Sequence, residues 1–499
     1  MVSSIQNKGS KGLEERKIVQ EKKGKRVLLI EPRGNIQYYV LPLALGILKS
    51  NIPDYHTVKI LDCSYKNINA NSLEFKREIE TFKPQVVGVS CSLQTYPEGI
   101  AAVQIVKSMD PKIITVMGGA HPSIFSDMIM TNTSVDFLFR GEGELSFPVF
   151  LNILDGQAAL SSVDGLVYRQ NGKIVKNAVN MEAELDKIKI PDYDAVGLNN
   201  YIGKGYNYGG MYGRTSPLWL TRGCPYACTF CSGSHVNGRK IRSHSLQYVV
   251  DWINHLYNNF DIRQFAIIDD NFTFYNDYAK EFCRILINLI NKNHFKEKIY
   301  FATPNGVRLD KLDTELLSLM KEAGWQDLTI APESGSRKTL KRMGKRMNPD
   351  MVPEVVNNIK KAGLNVRGNF MICYPGETKE DIKETIQLIR KSRFDFFQIM
   401  RFMPIPGTPI YNDLVREEEI PPDYMPPHFY TLIFGLGKKE QHKLYSPKDL
   451  KNLNTFVLYL RELILLVLRN PHSIIFFCKY YGIMNVLKKL LFFKKDRHA

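Results

Sequence analysis

The sequence predicts an α/β protein: a doubly wound parallel sheet, then a partial (β/α)6 barrel of TIM type, then a basic helical tail. Three observations predict it. Short apolar runs alternate with helix-like stretches over residues 26–160, the rhythm of a parallel sheet covered on both faces. A second series of six such runs begins at Ser216, as in a strand–helix barrel. Beyond residue 446, lysines are interleaved with Phe, Tyr and Leu in an amphipathic pattern.

Taken in order, residues 1–25 are polar, with lysines and glutamates mixed and few large apolar residues, and read as disordered. Apolar runs over 26–32, 56–62, 86–90, 113–117 and 136–140 read as buried strands. Helices are expected over 39–50, 72–82, 97–108 and 144–154. Asn171-Gly172 between two alternating runs signals a β-hairpin. The Gly-, Asn- and Tyr-rich stretch that follows reads as a connection. Barrel strands are expected over 217–221, 264–269, 299–302, 327–331, 366–373 and 396–402, with helices starting near residues 245, 276, 314, 349 and 378. The domains are therefore 1–25, 26–160, 161–213 (linker with hairpin), 214–430 and the tail 431–499.

Composition bounds the function. With 499 residues, 44% hydrophobic and 24% charged, the chain is neither collagenous nor wholly disordered. No apolar run reaches the ~18 residues of a membrane span. The N-terminus lacks the apolar core of a secretory signal, so a cytoplasmic location is expected. The net charge of +16 is concentrated at the ends: +5 in residues 1–26 and +9 in residues 438–499, leaving +2 for the body. That argues against a broad nucleic-acid surface and suits a solvated tail, an acidic partner or a membrane surface.

Of eight cysteines, three cluster in Thr221-Arg-Gly-Cys-Pro-Tyr-Ala-Cys-Thr-Phe-Cys-Ser232. Three convergent thiolates call for a soft metal. Structural zinc wants four ligands, and His235 is the nearest candidate for a Cys3His site. The other reading is an iron–sulfur cluster with one iron open to substrate or cofactor. The loop follows the first barrel strand, where barrel chemistry sits.

Cys-x3-Cys-x-aromatic-Cys resembles the signature of the radical S-adenosylmethionine (SAM) superfamily. The resemblance implies that Cys224, Cys228 and Cys231 hold a [4Fe–4S] cluster, that SAM chelates the fourth iron, and that Phe230 lies near the adenine. Asp269-Asp270-Asn271, at the end of the second barrel strand, resembles a segment facing the SAM amino end; an adjacent acid pair also caps helices. Ala331-Pro-Glu-Ser-Gly-Ser336 resembles the fourth-strand segment that places Glu333 and Ser334 at SAM. Residues 369–377 and 404–408 resemble the fifth and sixth strand ends, where Gly and Pro set turns. Cys373 reads as a small buried residue.

The N-terminal half resembles a cobalamin-binding domain. The loop Glu31-Pro-Arg-Gly-Asn35 lacks the cobalt-ligating histidine of methionine synthase-type members. Ser90, Ser92 and Leu93 after the third strand, and Gly118 and Gly119 after the fourth, are expected corrin contacts, since small residues let a flat ligand approach the backbone. His121 either faces the corrin or caps a helix. Glu142 and Glu144 read as part of a turn and helix cap.

The resemblance, to cobalamin-binding-domain radical SAM enzymes, spans residues 26–430. It implies methylation of an unactivated carbon through a 5′-deoxyadenosyl radical and methylcobalamin. The alternatives are a radical SAM cyclase, ring-rearranging or other bond-forming enzyme, and a non-catalytic cobalamin or redox sensor. Implied cofactors are a [4Fe–4S] cluster, SAM and cobalamin. Implied partners are a small-molecule substrate and a flavodoxin- or ferredoxin-type electron donor, with no nucleic acid. The aromatic, basic tail points to peripheral membrane contact, and with it a lipid or isoprenoid substrate, or to helices packed over the barrel mouth.

Overall fold

A computed structural model describes residues 24–34, 40–154, 159–202 and 214–426, with single positions between 447 and 469. The expectations for residues 1–23 and for most of the tail fall outside the described residues.

Seven strands build the first sheet: β1 (Arg26–Glu31), β2 (Thr57–Asp62), β3 (Val86–Ser90), β4 (Ile114–Gly118), β5 (Phe137–Phe139), β6 (Leu166–Gln170) and β7 (Lys173–Lys176). Their order is β2-β1-β3-β4-β5-β6-β7. The first five are parallel, and β6 and β7 run antiparallel at the edge. Alternation along β1 explains the double winding. Leu28 and Ile30 pack with Phe75, Ile79, Val103 and Ile129 on one face. Val27 and Leu29 pack with Leu45, Phe147 and Phe150 on the other. The chain reverses direction across the sheet between β1 and β3, so a ligand crevice opens beyond their C-terminal ends.

Two differences from the sequence reading matter. The hairpin assigned to the linker pairs with β5 and extends the sheet. A helix over Ala120–Asn132, absent from the sequence reading, follows β4.

The second unit holds β8 (Thr215–Leu218), β9 (Thr221–Arg222), β10 (Arg242–Ser243), β11 (Gln264–Ile267), β12 (Tyr300–Ala302), β13 (Asp327–Glu333), β14 (Asn365–Ile372) and β15 (Phe396–Arg401). Two parallel three-stranded sheets, β12-β11-β8 and β13-β14-β15, are joined by parallel bridges Phe301–Trp325 and Val307–Ile330. The six strands thus form an open, partial (β/α)6 barrel, as expected. Amphipathic helices cover its outside; Leu246–Phe260, capped by Ser245, turns Val249, Trp252, Ile253 and Leu256 inward.

The described part of the connection is packed rather than loose. Leu185, Tyr193 and Leu198 join the barrel core, and Trp252 Nε1 donates to Tyr193 OH at 2.7 Å. Among the described residues no helix is long and apolar enough to cross a membrane. Described tail positions pack on the helix Lys379–Ser392: buried Glu462 accepts from Arg390 Nε at 2.8 Å. That contact leads into the N-terminal end of β15, opposite the strand mouths, so at this position the tail does not cover the mouth.

Candidate functional site

The cysteine loop is held from three directions. Asp269, buried at the end of β11, accepts from the Leu220 and Thr221 amides at 2.8 Å each and from Thr221 Oγ1 at 2.7 Å. The short β9–β10 ladder closes the loop's base. Its centre is tied to the barrel: Thr229 N–H donates to the Met343 carbonyl at 2.9 Å, and Thr229 Oγ1 lies 2.5 Å from Tyr374 OH. Gly223 is required at the entry. Its φ is +99°, and a Cβ there would lie 2.4 Å from the Lys240 carbonyl oxygen.

Within this frame the Gly233 amide donates to Cys231 Sγ at 3.4 Å. A Cβ on Gly233 would come within 3.4 Å of that sulfur and 3.3 Å of Asp270 Oδ1, so glycine keeps carboxylate and thiol close. Burial raises the Cys224 and Cys228 thiols above the ordinary value, while Lys345 and Arg308 oppose the rise at Cys228. A bound soft metal would hold these sulfurs as thiolates. Among the described residues no three thiol, imidazole or carboxylate groups stand close enough to share one ion. Three cysteine sulfurs on one short loop, with Lys345 and Arg308 facing Cys228, suit a polynuclear cluster that leaves one iron open. The donor set therefore fits an iron–sulfur cluster. The His235 side chain, the zinc alternative's fourth ligand, lies outside the described residues.

The residues expected at SAM divide. Asp270 reaches the loop and accepts from Asn237 Nδ2 at 2.8 Å. Glu333 follows a register shift in β13, sits at φ +66° and takes Lys345 Nζ at 2.9 Å, beside Cys228. Asn271 is 3% exposed, and neither of its amide atoms has a partner among the described residues. Such a buried amide is a vacant hydrogen-bonding position that fits a polar ligand. Phe230 packs edge-on to Tyr374 at 6.4 Å. Two expected contacts are directed elsewhere. Asp269 grips backbone amides, and burial raises its carboxyl to about 7. Ser334 is fully buried, 3.1 Å from Thr385 Oγ1, and accepts from the Ser336 amide. Cys373 is buried in the core.

A cavity of about 310 Å³ lies over the C-terminal ends of β1, β3, β4 and β5. Glu31, Ser90, Ser92, Gly118 and Gly119 line it from the sheet. Gly119 has φ +100°, and a Cβ would stand 2.7 Å from the Cys91 carbonyl oxygen. Burial, with Asp62 adding repulsion, pushes the Glu31 carboxyl up to about 8. Trp219, Arg222, Val236 and Asn237 of the barrel unit close the cavity, so the sheet ends and the cysteine loop share one wall. The crevice position, small lining residues and apolar walls fit a planar cofactor with a polar periphery.

Leu93 is half-buried and does not reach this lining. His121 also departs from its expected corrin contact. It is 2% exposed and stacks between Tyr96 (4.0 Å) and Phe125 (4.7 Å). Burial lowers its imidazole to about 4. The helix Ala120–Asn132 turns it into the helix layer. Glu142 and Glu144 are likewise more than a turn and cap: both pair with Arg222, and Glu142 also pairs with Arg242. Sequence reading missed Arg222, Arg242, Arg308, Lys345 and Asn237. The one signal available was the acid pair after β5 matched by an arginine just before Cys224.

Comparison with known proteins agrees with both halves. The radical SAM superfamily model matches residues 220–389 and the B12 binding domain model residues 33–151. The chain is 29% identical over 373 residues to the uncharacterized methyltransferase PH0819 of Pyrococcus horikoshii, covering 74% of this chain and 78% of the relative. It is 27% identical over 452 residues to cytidylyl-2-hydroxyethylphosphonate methyltransferase of Streptomyces wedmorensis, covering 80% and 83%. It is 25% identical over 415 residues to the anaerobic magnesium-protoporphyrin IX monomethyl ester cyclase of Rubrivivax gelatinosus, covering 79% and 71%. In fold it is similar to the radical SAM methyltransferase TsrM from Kitasatospora setae, solved with cobalamin and a [4Fe–4S] cluster bound. The TM-score is 0.65 at 15% identity, over 79% of this chain and 78% of that one.

Proposed function

We propose, from the premise that the chain belongs to the radical SAM enzymes with a B12-binding domain, that it methylates an unactivated carbon of a small-molecule substrate. One observation carries this reading. The cavity over the sheet ends is completed by residues that flank the cysteine loop, which supports a corrin site and a cluster site sharing one wall. Methyltransferase relatives covering 74% and 80% of the chain support it.

When bound, the cluster, SAM and the corrin would supply reductive sulfonium cleavage and a methyl carrier. The chain's own residues do the rest. Cys224, Cys228 and Cys231 supply three thiolates, with Lys345 and Arg308 as cationic neighbours. Asp270, Asn271 and Glu333 offer acceptors and an amide to the amino acid end of SAM. Phe230 offers an aromatic face. Asp269 keeps the loop's first residues in place. Ser90, Ser92, Gly118 and Gly119 let the corrin lie against the strand ends.

The cyclase relative favours a second reading, radical chemistry without methyl transfer. Product mass separates the two. The anaerobically reconstituted full chain, given reductant, SAM and a panel of polar and isoprenoid substrates, is expected to yield 5′-deoxyadenosine, S-adenosylhomocysteine and a product heavier by one CH2. 5′-Deoxyadenosine with a dehydrogenated or rearranged product, and no methyl gain, contradicts methyl transfer. A flavodoxin- or ferredoxin-type donor is the proposed reductant. Peripheral membrane contact through the tail remains a proposal supported by its charge and aromatic content.

A further inference from the structure

We propose that Arg222 and Trp219 are positioning residues for the corrin, and that a buried four-charge clamp sets how the corrin site meets the cluster loop. The inference rests on reading the cavity as the corrin site. The clamp joins two arginines of the barrel unit to two glutamates of the loop after β5. The Arg222 side chain is 2% exposed; its Nη1 lies 2.7 Å from Glu144 Oε1 and 3.3 Å from Glu142 Oε1. Arg242 grips the same Glu142 with both terminal nitrogens, at 2.6 and 2.8 Å. Arg242 is itself held by the Glu182 and Asn237 carbonyl oxygens, at 2.9 and 3.1 Å. The Arg222 guanidinium also lies over the Trp219 ring, 4.4 Å from its centroid.

Its location gives the clamp a function beyond holding two units together. Arg222 and Arg242 face each other across the β9–β10 ladder that closes the base of the cysteine loop. Glu142 and Glu144 lie on the rim of the cavity, as do Arg222 and Trp219 themselves. Three of the four charges, Glu142, Glu144 and Arg222, therefore touch the cavity wall, and the two arginines stand at the root of the loop. Two positive and two negative charges balance, and bidentate geometry fixes direction as well as distance. A buried pair of this kind is a weak source of stability but a strong fixer of geometry, because removing one partner leaves the other uncompensated. Among the described residues Arg222 Nε and Trp219 Nε1 are buried without a partner, which leaves two donors at the wall for the polar edge of a ligand.

The test uses the anaerobically reconstituted full chain with hydroxocobalamin as the probe. Iron per chain, corrin retained after gel filtration, and the electron paramagnetic resonance spectrum of the bound cob(II)alamin form are measured. Glu144→Gln removes one charge with little change of shape. Trp219→Ala opens the wall and leaves the four charges in place. Both are expected to weaken corrin retention by about tenfold or more and to alter the spectrum, with iron content at the wild-type level. Trp219→Phe, which keeps a ring under Arg222, is expected to recover most of the retention. Wild-type retention and spectrum in both Glu144→Gln and Trp219→Ala would overturn the inference. Joint loss of iron and corrin in both would overturn it too, by showing a purely structural clamp. A wild-type chain that holds iron and no corrin would instead overturn the corrin reading beneath it.

Discussion

Residues at this site act through a few well-placed hydrogen bonds. Asn271 is the sharpest case, since its buried amide has no partner among the described residues. Asn271→Leu is expected to leave the ligand-free protein as stable as wild type or more so, because an unsatisfied amide is removed. SAM affinity should fall about tenfold, the worth of one hydrogen bond of about 1.4 kcal/mol. Isothermal titration and thermal melts of the same variant read the two effects separately. pH reaches the fold through several buried groups, of which Glu31 and His121 lie nearest the ends of the first sheet. Glu31, raised from 4.5 to about 8 on folding, stabilises the protein where it is protonated, so its contribution is lost as pH rises through that window. Glu31→Gln should flatten the fall in urea midpoint between those values. His121, lowered from 6.5 to about 4, acts in the opposite sense: its contribution is lost as pH falls from 6.5 to 4. His121→Phe should keep the aromatic stack, reduce the acid-side loss to the share of His244, the other histidine that burial lowers, and leave corrin retention unchanged; lost retention would return His121 to the corrin site. Cysteine spacing made the metal loop legible because its ligands are neighbours in sequence. The target of Asp269, and the partners of Glu142 and Glu144, were not legible, because they are set by strands and arginines tens of residues away.

Elements are where sequence and structure agree most. The strand–helix rhythm shows every parallel strand, because each is a short apolar run between polar stretches. The helix Ala120–Asn132 escapes that logic. Its backbone departs from helical geometry at Phe125, and its buried positions include His121, Pro122 and Ser126, so no single apolar stripe marks it. The first barrel strand begins earlier than the apolar pattern implies, at Thr215, because the chain leaves the sheet at Leu218 to start the cysteine loop. Turn glycines carry the geometry at these strand ends. Gly119→Ala should cost about 1–3 kcal/mol from the strained backbone alone, and more from the clash with the Cys91 carbonyl. Chemical denaturation reads this cost, and corrin retention should fall with it.

At the scale of the whole molecule, two units that each recur in other proteins are joined by a packed connection and a buried clamp. The cavity belongs to both, so neither half alone carries a complete site. The basic tail touches the barrel's outer layer through Glu462. If its remaining charge serves a membrane, the full chain should sediment with anionic vesicles more than a truncation at Tyr445; equal sedimentation excludes that role. The most direct measurement is anaerobic reconstitution of the full chain with iron, sulfide and hydroxocobalamin, followed by counting. About four iron atoms, as in a [4Fe–4S] cluster, together with one tightly held corrin per chain is the expected result. Iron at that level with no retained corrin would contradict the two-cofactor site and place other radical chemistry ahead of methyl transfer.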